Sequence, residues 1–301
     1  MTIKPRALKP GQAVGIVAPA GPINPDALDK GIELLTSLGF EPVLGSHLFE
    51  EQGYLAGSDI SRLDDIHKMI GNTNIKAIFC ARGGYGCMRL LDRIDYDLIR
   101  QNPKIIMGFS DITALLMSIW EKTGLITFHG PLVTDLNHEL KDNVHHMLNL
   151  LGGVNSLSID LKSADTYFPG EAEGILMGGN LSLITHLIGT RYLPSLNGSI
   201  LVIEEKGEAP YRLDRMLTHL RLSGIMKNIK GLIIGSLLEC GSQEEIEKVL
   251  NNCLLDMSIP IVYSGPFGHG DENLALPLGV MARLDANNML LKIIEPPFQG
   301  D

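Results

Sequence analysis

The sequence predicts an α/β protein: an N-terminal domain on a parallel sheet, then a smaller C-terminal α/β domain. Three observations predict this. Apolar runs rich in β-branched residues alternate with amphipathic stretches through the first half, the pattern of strands covered by helices on both faces. Gly-rich turns close most of those runs. Near residue 155 the composition turns to Gly, Ser and Thr before the alternation resumes. We expect domains over 1–155 and 173–301 with a linker over 156–172. At 301 residues, with 45% hydrophobic and 20% charged, the chain is long enough for two domains and can bury a sizeable core.

The elements follow in order. "AVGIVAPAG" reads as the first strand. "NPDALDKGIELLTSLGF" reads as a helix with Asn24 as N-cap, Pro25 at its first position and Gly39 as terminator. "EPVLGSHL" is a strand, and "SDISRLDDIHKMIGN" a helix with Ile60, Leu63, Ile66 and Met69/Ile70 at helical spacing. "IKAIFCARGGYG" is a strand with a Gly-rich turn, "CMRLLDRI" a helix, "KIIMGFSD" a strand and turn, and "ITALLMSIWEKTG" a helix. After the strand "LITFHGPLV" and the helix "DNVHHMLNLLGG" comes the expected linker. The second domain then offers the helices "GGNLSLITHLIGT", "YRLDRMLTHLRLSG" and "QEEIEKVLNNCLL" between the strands "GSILVIEEKGEAP", "IKGLIIGSLLE" and "IPIVYSGPFGHG".

A formal charge of −10 argues against nucleic acid or an anionic membrane as the main partner, because both would repel the chain. No apolar run approaches the roughly 18 to 20 residues that span a bilayer. The short apolar stretch Ala13–Ala20 behind the early Lys and Arg is broken by Gly15 and Pro19 and reads as a strand, not a leader. Cys80, Cys87, Cys240 and Cys253 form no C-x-x-C pair or dense framework, as expected of buried thiols in a reducing cytoplasm. There is no H-E-x-x-H and no Cys/His ligand spacing, so we expect no metal and no cofactor. His145 and His146 point about 100° apart on a helix and make a poor chelating pair.

In open α/β sheets, ligands sit outside the carboxyl ends of the strands. The strand ends here deliver Arg82-Gly83-Gly84-Tyr85-Gly86, Gly108-Phe109-Ser110-Asp111, Glu204-Glu205-Lys206-Gly207-Glu208 and Gly268-His269-Gly270. A hydroxyl, carboxylates and an imidazole are the inventory of a Ser-His-acid hydrolase. Ser110 is either a helix cap or a nucleophile on a sharp strand-to-helix turn that Gly108 permits. Asp111 stands ready as the cap, which leaves the Ser110 hydroxyl available; Ile112, where the G-x-S-x-G pattern has Gly, sets this turn apart from the common elbow. His269 between two glycines can swing its ring toward a partner, and His129 after a strand is a second candidate; His186 and His219 sit at helical positions. The acid is open among Glu204, Glu205 and Glu208, although alternation along a strand prevents Glu204 and Glu205 from facing the same site. "ARGGYG" does not match G-x-G-x-x-G, but its Gly-Gly pair offers bare amides to an oxyanion.

Six blocks in order, "VGIVAPAGP", "ARGGYG", "GFSDITALL", "GGNLSLI", "IEEKGEAPYRLDRML" and "GPFGHGDENLALPLG", make the chain resemble the LD-carboxypeptidases of murein recycling from about residue 10 to 295. These are serine peptidases related to the microcin C self-immunity hydrolases. The resemblance implies a nucleophile domain similar to class I glutamine amidotransferases and a C-terminal domain that supplies Glu and His. It implies a triad of Ser110, Glu204 and His269, with the oxyanion held by the amides of Asp111 and Gly84. Where the family more often has Asp and an apolar residue, this chain has Glu205-Lys206. The implied substrate is a murein tetrapeptide that loses its terminal D-Ala, and the implied assembly is a cytoplasmic homodimer. Arg82, Arg212 and Arg215 are the candidates for the substrate carboxylate. The alternatives are hydrolysis of a peptidyl-nucleotide, a general esterase or amidase, and a non-catalytic murein-peptide sensor.

Overall fold

Alternating strand and helix segments give two separate sheets. The structure, a computed structural model, describes residues 2–136, 141–153, 157–161 and 164–300. The first half runs β1 (Ala13–Val17), α1 (Pro25–Ser37), β2 (Glu41–Leu44), α2 (Asp59–Gly71), β3 (Ile75–Cys80), α3 (Tyr96–Gln101), β4 (Ile105–Gly108), α4 (Ile112–Thr123), β5 (Thr127–His129) and α5 (Lys141–Leu151). It continues with β6 (Leu157–Asp160), β7 (Asp165–Phe168), β8 (Glu171–Asn180), α6 (Leu181–Leu187), β9 (Ser199–Lys206), α7 (Pro210–Leu222), α8 (Ile225–Asn228), β10 (Gly231–Leu238), α9 (Gln243–Leu254) and β11 (Ile261–Tyr263). Three strands close it: β12 (Leu276–Leu278), β13 (Val280–Asp285) and β14 (Leu290–Ile293).

The chain divides into two compact units. The first takes Met1–Asn155 together with Leu274–Gly279 and Pro296–Asp301; the second takes Ser156–Asn273 and Val280–Glu295. In the first, the strand order is β12-β5-β4-β3-β1-β2. The pairs β2–β1, β1–β3, β3–β4 and β4–β5 are parallel, as the alternation predicts, and only β12 joins antiparallel, on β5. β4 is buried along its whole length, which explains its unbroken apolar sequence. In the second unit the order is β6-β14-β13-β8-β9-β10-β11-β7. Its centre, β8 to β11, is parallel, and its flanks are antiparallel.

Local signals explain most boundaries. Asn24 caps α1 by accepting from the Ala27 amide at 3.1 Å, with Pro25 at the first position. Ser242 and Glu245 form a reciprocal capping box on α9.

Three expectations are corrected. The stretch 156–172 is not a linker: β6 and β7 lie in it, and β8 starts at Glu171. Leu157 and Ile159 alternate with exposed neighbours, a period too short to stand out in a Gly/Ser/Thr-rich segment; Ser156, Lys162 and Ser163 lie outside the described residues. The helix expected over Cys87–Ile94 is one 3-10 turn, Cys87–Arg89. Asp95 accepts from the Leu98 amide at 2.8 Å and starts α3 instead. Last, Ile60 is 67% exposed and Arg62, two positions on, is 2% exposed. Apolar periodicity cannot register an arginine that is buried because carbonyls surround it.

Lys104 precedes β4 and is buried, its ammonium donating to the carbonyls of Met69 at 2.9 Å and Asn72 at the end of α2. Burial pushes its pKa down to about 8, with repulsion from Lys76 adding to the effect. Between that value and the ordinary lysine range, the unfolded chain holds a proton that the folded chain has lost. This term therefore makes stability rise with pH from about 8 to about 10. We expect the stability difference between the native chain and Lys104→Met to move in favour of the native chain over that window. Urea titrations at both ends check it, and a difference that stays flat refutes it.

Candidate active site

Ser110 sits where the first sheet hands its chain to a helix. β4 ends at Gly108, whose missing side chain matters: a Cβ there would meet the Ile112 side chain at 2.9 Å and Cys80 Cβ at 3.1 Å. Two residues on, Ser110 adopts the left-handed region with φ 61°, and α4 begins at Ile112. For a residue with a side chain this conformation costs roughly 1–2 kcal/mol. It is held from both sides: the Gly130 amide bonds the Gly108 carbonyl at 3.2 Å, and the Thr113 amide bonds the Ser110 carbonyl at 3.0 Å. Ser110 itself is half-buried among buried neighbours.

The Arg82–Gly86 turn packs against this hydroxyl. A Cβ on Gly83 would lie 2.9 Å from Ser110 Cβ and 3.0 Å from its Oγ, so only glycine leaves the serine room. The Gly83 carbonyl accepts from the Gly21 amide at 3.0 Å, and Gly84 follows with φ 108°. Asp111 does not cap α4 as expected. Its buried carboxylate accepts from the Cys87 amide at 2.8 Å and so ties the glycine turn to the serine turn. Burial raises the Asp111 pKa, the Cys87 amide partly opposing that. Arg62 braces the same turn, donating to the carbonyls of Gly86 at 3.0 Å and of Pro19, and pairing with Asp59.

The second unit holds a carboxylate–imidazole pair. Glu204, fully buried near the end of β9, places Oε2 2.6 Å from Nδ1 of His269, whose side chain keeps 16% exposure. Glycine is required beside it as well: Gly268 has φ 102°, and a Cβ there would fall 2.6 Å from the Glu204 side chain. The His269 loop is pinned on both sides. Asn273 Oδ1 accepts from the Gly268 amide and Ser236 Oγ from the Gly270 amide, both at 3.0 Å. Glu205 points elsewhere, accepting from the Ser182 amide at 2.8 Å and from its own neighbour, the Lys206 amide, at 3.0 Å. Asn180 spans the two carboxylates, donating to Glu204 at 3.2 Å and Glu205 at 2.9 Å. Burial raises the Glu205 pKa, with these donors opposing it.

Both units match known sequence families in chain order: the LD-carboxypeptidase N-terminal domain over residues 14–130 and the LD-carboxypeptidase C-terminal domain over residues 173–284. The chain belongs to the LD-carboxypeptidase family. It is 37% identical to the probable murein peptide carboxypeptidase of Bacillus subtilis, over 95% of this chain and 92% of that one. It is 33% identical to the murein tetrapeptide carboxypeptidase of Pseudomonas aeruginosa, covering 92% and 94%. Among solved structures it is similar to MccF in complex with glutamyl sulfamoyl guanosine, with TM-score 0.92, 27% identity and coverage of 98% and 99%.

The remaining candidates of this member of the LD-carboxypeptidase family lie elsewhere, apart from Arg82, which belongs to the glycine turn. His129 is buried in β5 with its ring edge-on to Phe109 at 5.8 Å. His146 bonds the Ala275 carbonyl at 2.9 Å, while His145 and His186 are exposed on helices. Glu208 pairs with Arg212 one helical turn away, and Arg212 and Arg215 both lie near the Tyr211 ring. Arg82 is exposed beside Gly83 and donates to the Pro22 carbonyl. All four cysteines are free and buried. Among the described residues, His47, Asp64 and Asp65 bring ligand-type atoms within 4.8 Å of one another. Both His47 ring nitrogens are already engaged, by Glu50 at 2.7 Å and Asp64 at 3.0 Å, and Lys68 pairs with Asp64. No helix among the described residues is long and apolar enough to cross a membrane. Arg62 and Asn180 are the site residues that pattern reasoning misses; only the position of Asn180 directly before α6 signals a role, as its N-cap.

Replacing Ser110 by glycine should raise stability by about 1 kcal/mol, because glycine adopts φ 61° without penalty. Ser110→Ala keeps the strain and should not. Denaturant midpoints of the two variants check this; an Ala variant at least as stable as the Gly variant would show that the turn stores no strain.

Proposed function

We propose that this chain is a serine LD-carboxypeptidase that releases the terminal D-Ala from murein tetrapeptides. The observation that carries the reading is Ser110 in the left-handed region at a strand-to-helix turn, with Gly83 cleared from in front of its hydroxyl. A strained serine at a strand's carboxyl end has the geometry of a nucleophile elbow. The buried Glu204 beside His269 supplies the oriented base such a nucleophile needs. The names of the relatives support the murein substrate. Four free thiols support a reducing, cytoplasmic setting.

In this reaction His269 takes the proton of Ser110 as the hydroxyl oxygen attacks the carbonyl of the diamino acid that precedes D-Ala. Glu204 holds the imidazole through Nδ1 and stabilises the imidazolium that forms. The amides of Asp111 and Gly84 receive the oxyanion. The amine of D-Ala leaves with the proton from His269, and water then attacks the acyl-serine with His269 again acting as base. Loss of one oxyanion donor in such sites costs on the order of 10² to 10³ in rate. The Asp111–Cys87 tie therefore bears on catalysis through the backbone it positions.

A second reading, hydrolysis of a peptidyl-nucleotide, is favoured by the similarity to MccF bound to glutamyl sulfamoyl guanosine. Parallel assays with a murein tetrapeptide and a peptidyl-adenylate separate the two.

For D-Ala release we expect Ser110→Ala and His269→Ala to lose at least about 10⁴-fold in kcat. Glu204→Gln should be nearly as damaged. Glu205→Gln should keep most of its turnover per folded molecule while losing about 1–3 kcal/mol of stability, since it weakens the acceptor for the α6 amide. If Glu205→Gln is inactive when folded and Glu204→Gln is active, the acid has been assigned to the wrong residue.

A further inference from the structure

The first unit carries a cavity of about 780 Å³ lined by Arg6, Lys9, Lys76 and Lys104, with Gln12 and Gln101 among the uncharged groups. No acidic side chain lines it among the described residues, although the chain as a whole carries a formal charge of −10. Gln12 directly precedes β1, Lys76 is the second residue of β3, and Lys104 directly precedes β4. The cavity therefore lies at the amino ends of these strands, opposite the ends that lead to Ser110. It belongs to none of the catalytic machinery described above.

The like charges of Arg6, Lys76 and Lys104, gathered at one low-dielectric wall, repel one another and favour an anion between them. Carbonyls meet part of the demand: Met69 and Asn72 accept from Lys104, and Thr73 accepts from Lys76 at 2.6 Å. An ammonium has three donors, so two on Lys76 and one on Lys104 are left for another acceptor. Arg6 adds a planar guanidinium, the group best matched to a two-oxygen anion. The volume exceeds what an inorganic ion needs and lies in the range of sites for small organic ligands. Flanking amide side chains suit the hydroxyls or ring edges of such a ligand.

We infer that this cavity is a second binding site, for a small organic molecule carrying a diphosphate or comparable multivalent phosphate group. Adenosine diphosphate is a suitable probe for the class and inorganic pyrophosphate for its anionic part alone, each titrated calorimetrically into the whole chain. ADP should bind saturably with one-to-one stoichiometry, and more tightly than pyrophosphate. Arg6→Glu and Lys76→Glu, both at exposed positions, should each raise the ADP Kd by about tenfold or more. Lys30→Glu, exposed on α1 outside the cavity, changes the net charge equally and should leave Kd where it was. Absence of saturation by either probe up to about 10 mM, far beyond the affinity range of a specific site, overturns the inference. So does an equal effect of Lys30→Glu, which would mean general charge attraction, or pyrophosphate binding as tightly as ADP, which would leave the organic part without a role. The readout is binding alone, so it is independent of whether Ser110 is the nucleophile.

Discussion

Ser110 stays in the left-handed region because the elements on either side allow it nothing else. β4 is clamped between β3 and β5 in a parallel ladder, and α4 starts two residues after the serine with an almost wholly buried helix. The strain of one residue, about 1–2 kcal/mol, is small against the burial of those elements. The backbone that carries the hydroxyl is thus fixed by the packing of the two elements it joins. Other features of this region serve the same constraint. Gly83 leaves room for the Ser110 side chain, Gly108 leaves room for Ile112 and Cys80, and Asp111 and Arg62 hold the glycine turn at contact distance.

The second unit solves a different problem, keeping an ionisable pair out of water at an acceptable cost. A carboxylate with no solvent exposure needs donors, and Glu204 obtains them from His269 and Asn180. Its neighbour Glu205 is nearly as buried and takes its donors mainly from the start of α6. Two adjacent acids on one strand can both be buried because they face opposite sides of the sheet. One orients an imidazole; the other holds a helix end.

Much of this was legible in the residues. Strand and helix order in the first unit follows from hydrophobic period and caps such as Asn24 and Pro25. The strand-end rule alone brought Ser110, the glycine turn, Glu204 and His269 onto one short set of candidates. Choosing between Glu204 and Glu205 was beyond pattern reasoning: all of β9 except Lys206 is buried, so alternation has no polar face to reveal. Arg62 was invisible for the complementary reason, since its burial depends on carbonyls of Pro19 and Gly86 far away in sequence. The antiparallel strand β12 escaped notice because three residues, Leu276 to Leu278, are too few to carry a period.

That short strand has a consequence for how the protein can be inherited and engineered. Residues Leu274–Gly279 belong to the first unit, yet the chain reaches them only after synthesising most of the second. A gene segment ending near residue 155 would encode a sheet whose β5 edge has lost its antiparallel partner, leaving backbone groups open to chance pairing with other chains. The two halves are therefore not interchangeable cassettes. Recombination that swaps one for a relative's must also carry Leu274–Gly279 and Pro296–Asp301 from the other side of the breakpoint, and ribosomal synthesis completes the sheet that carries Ser110 only after the His269 loop has been made.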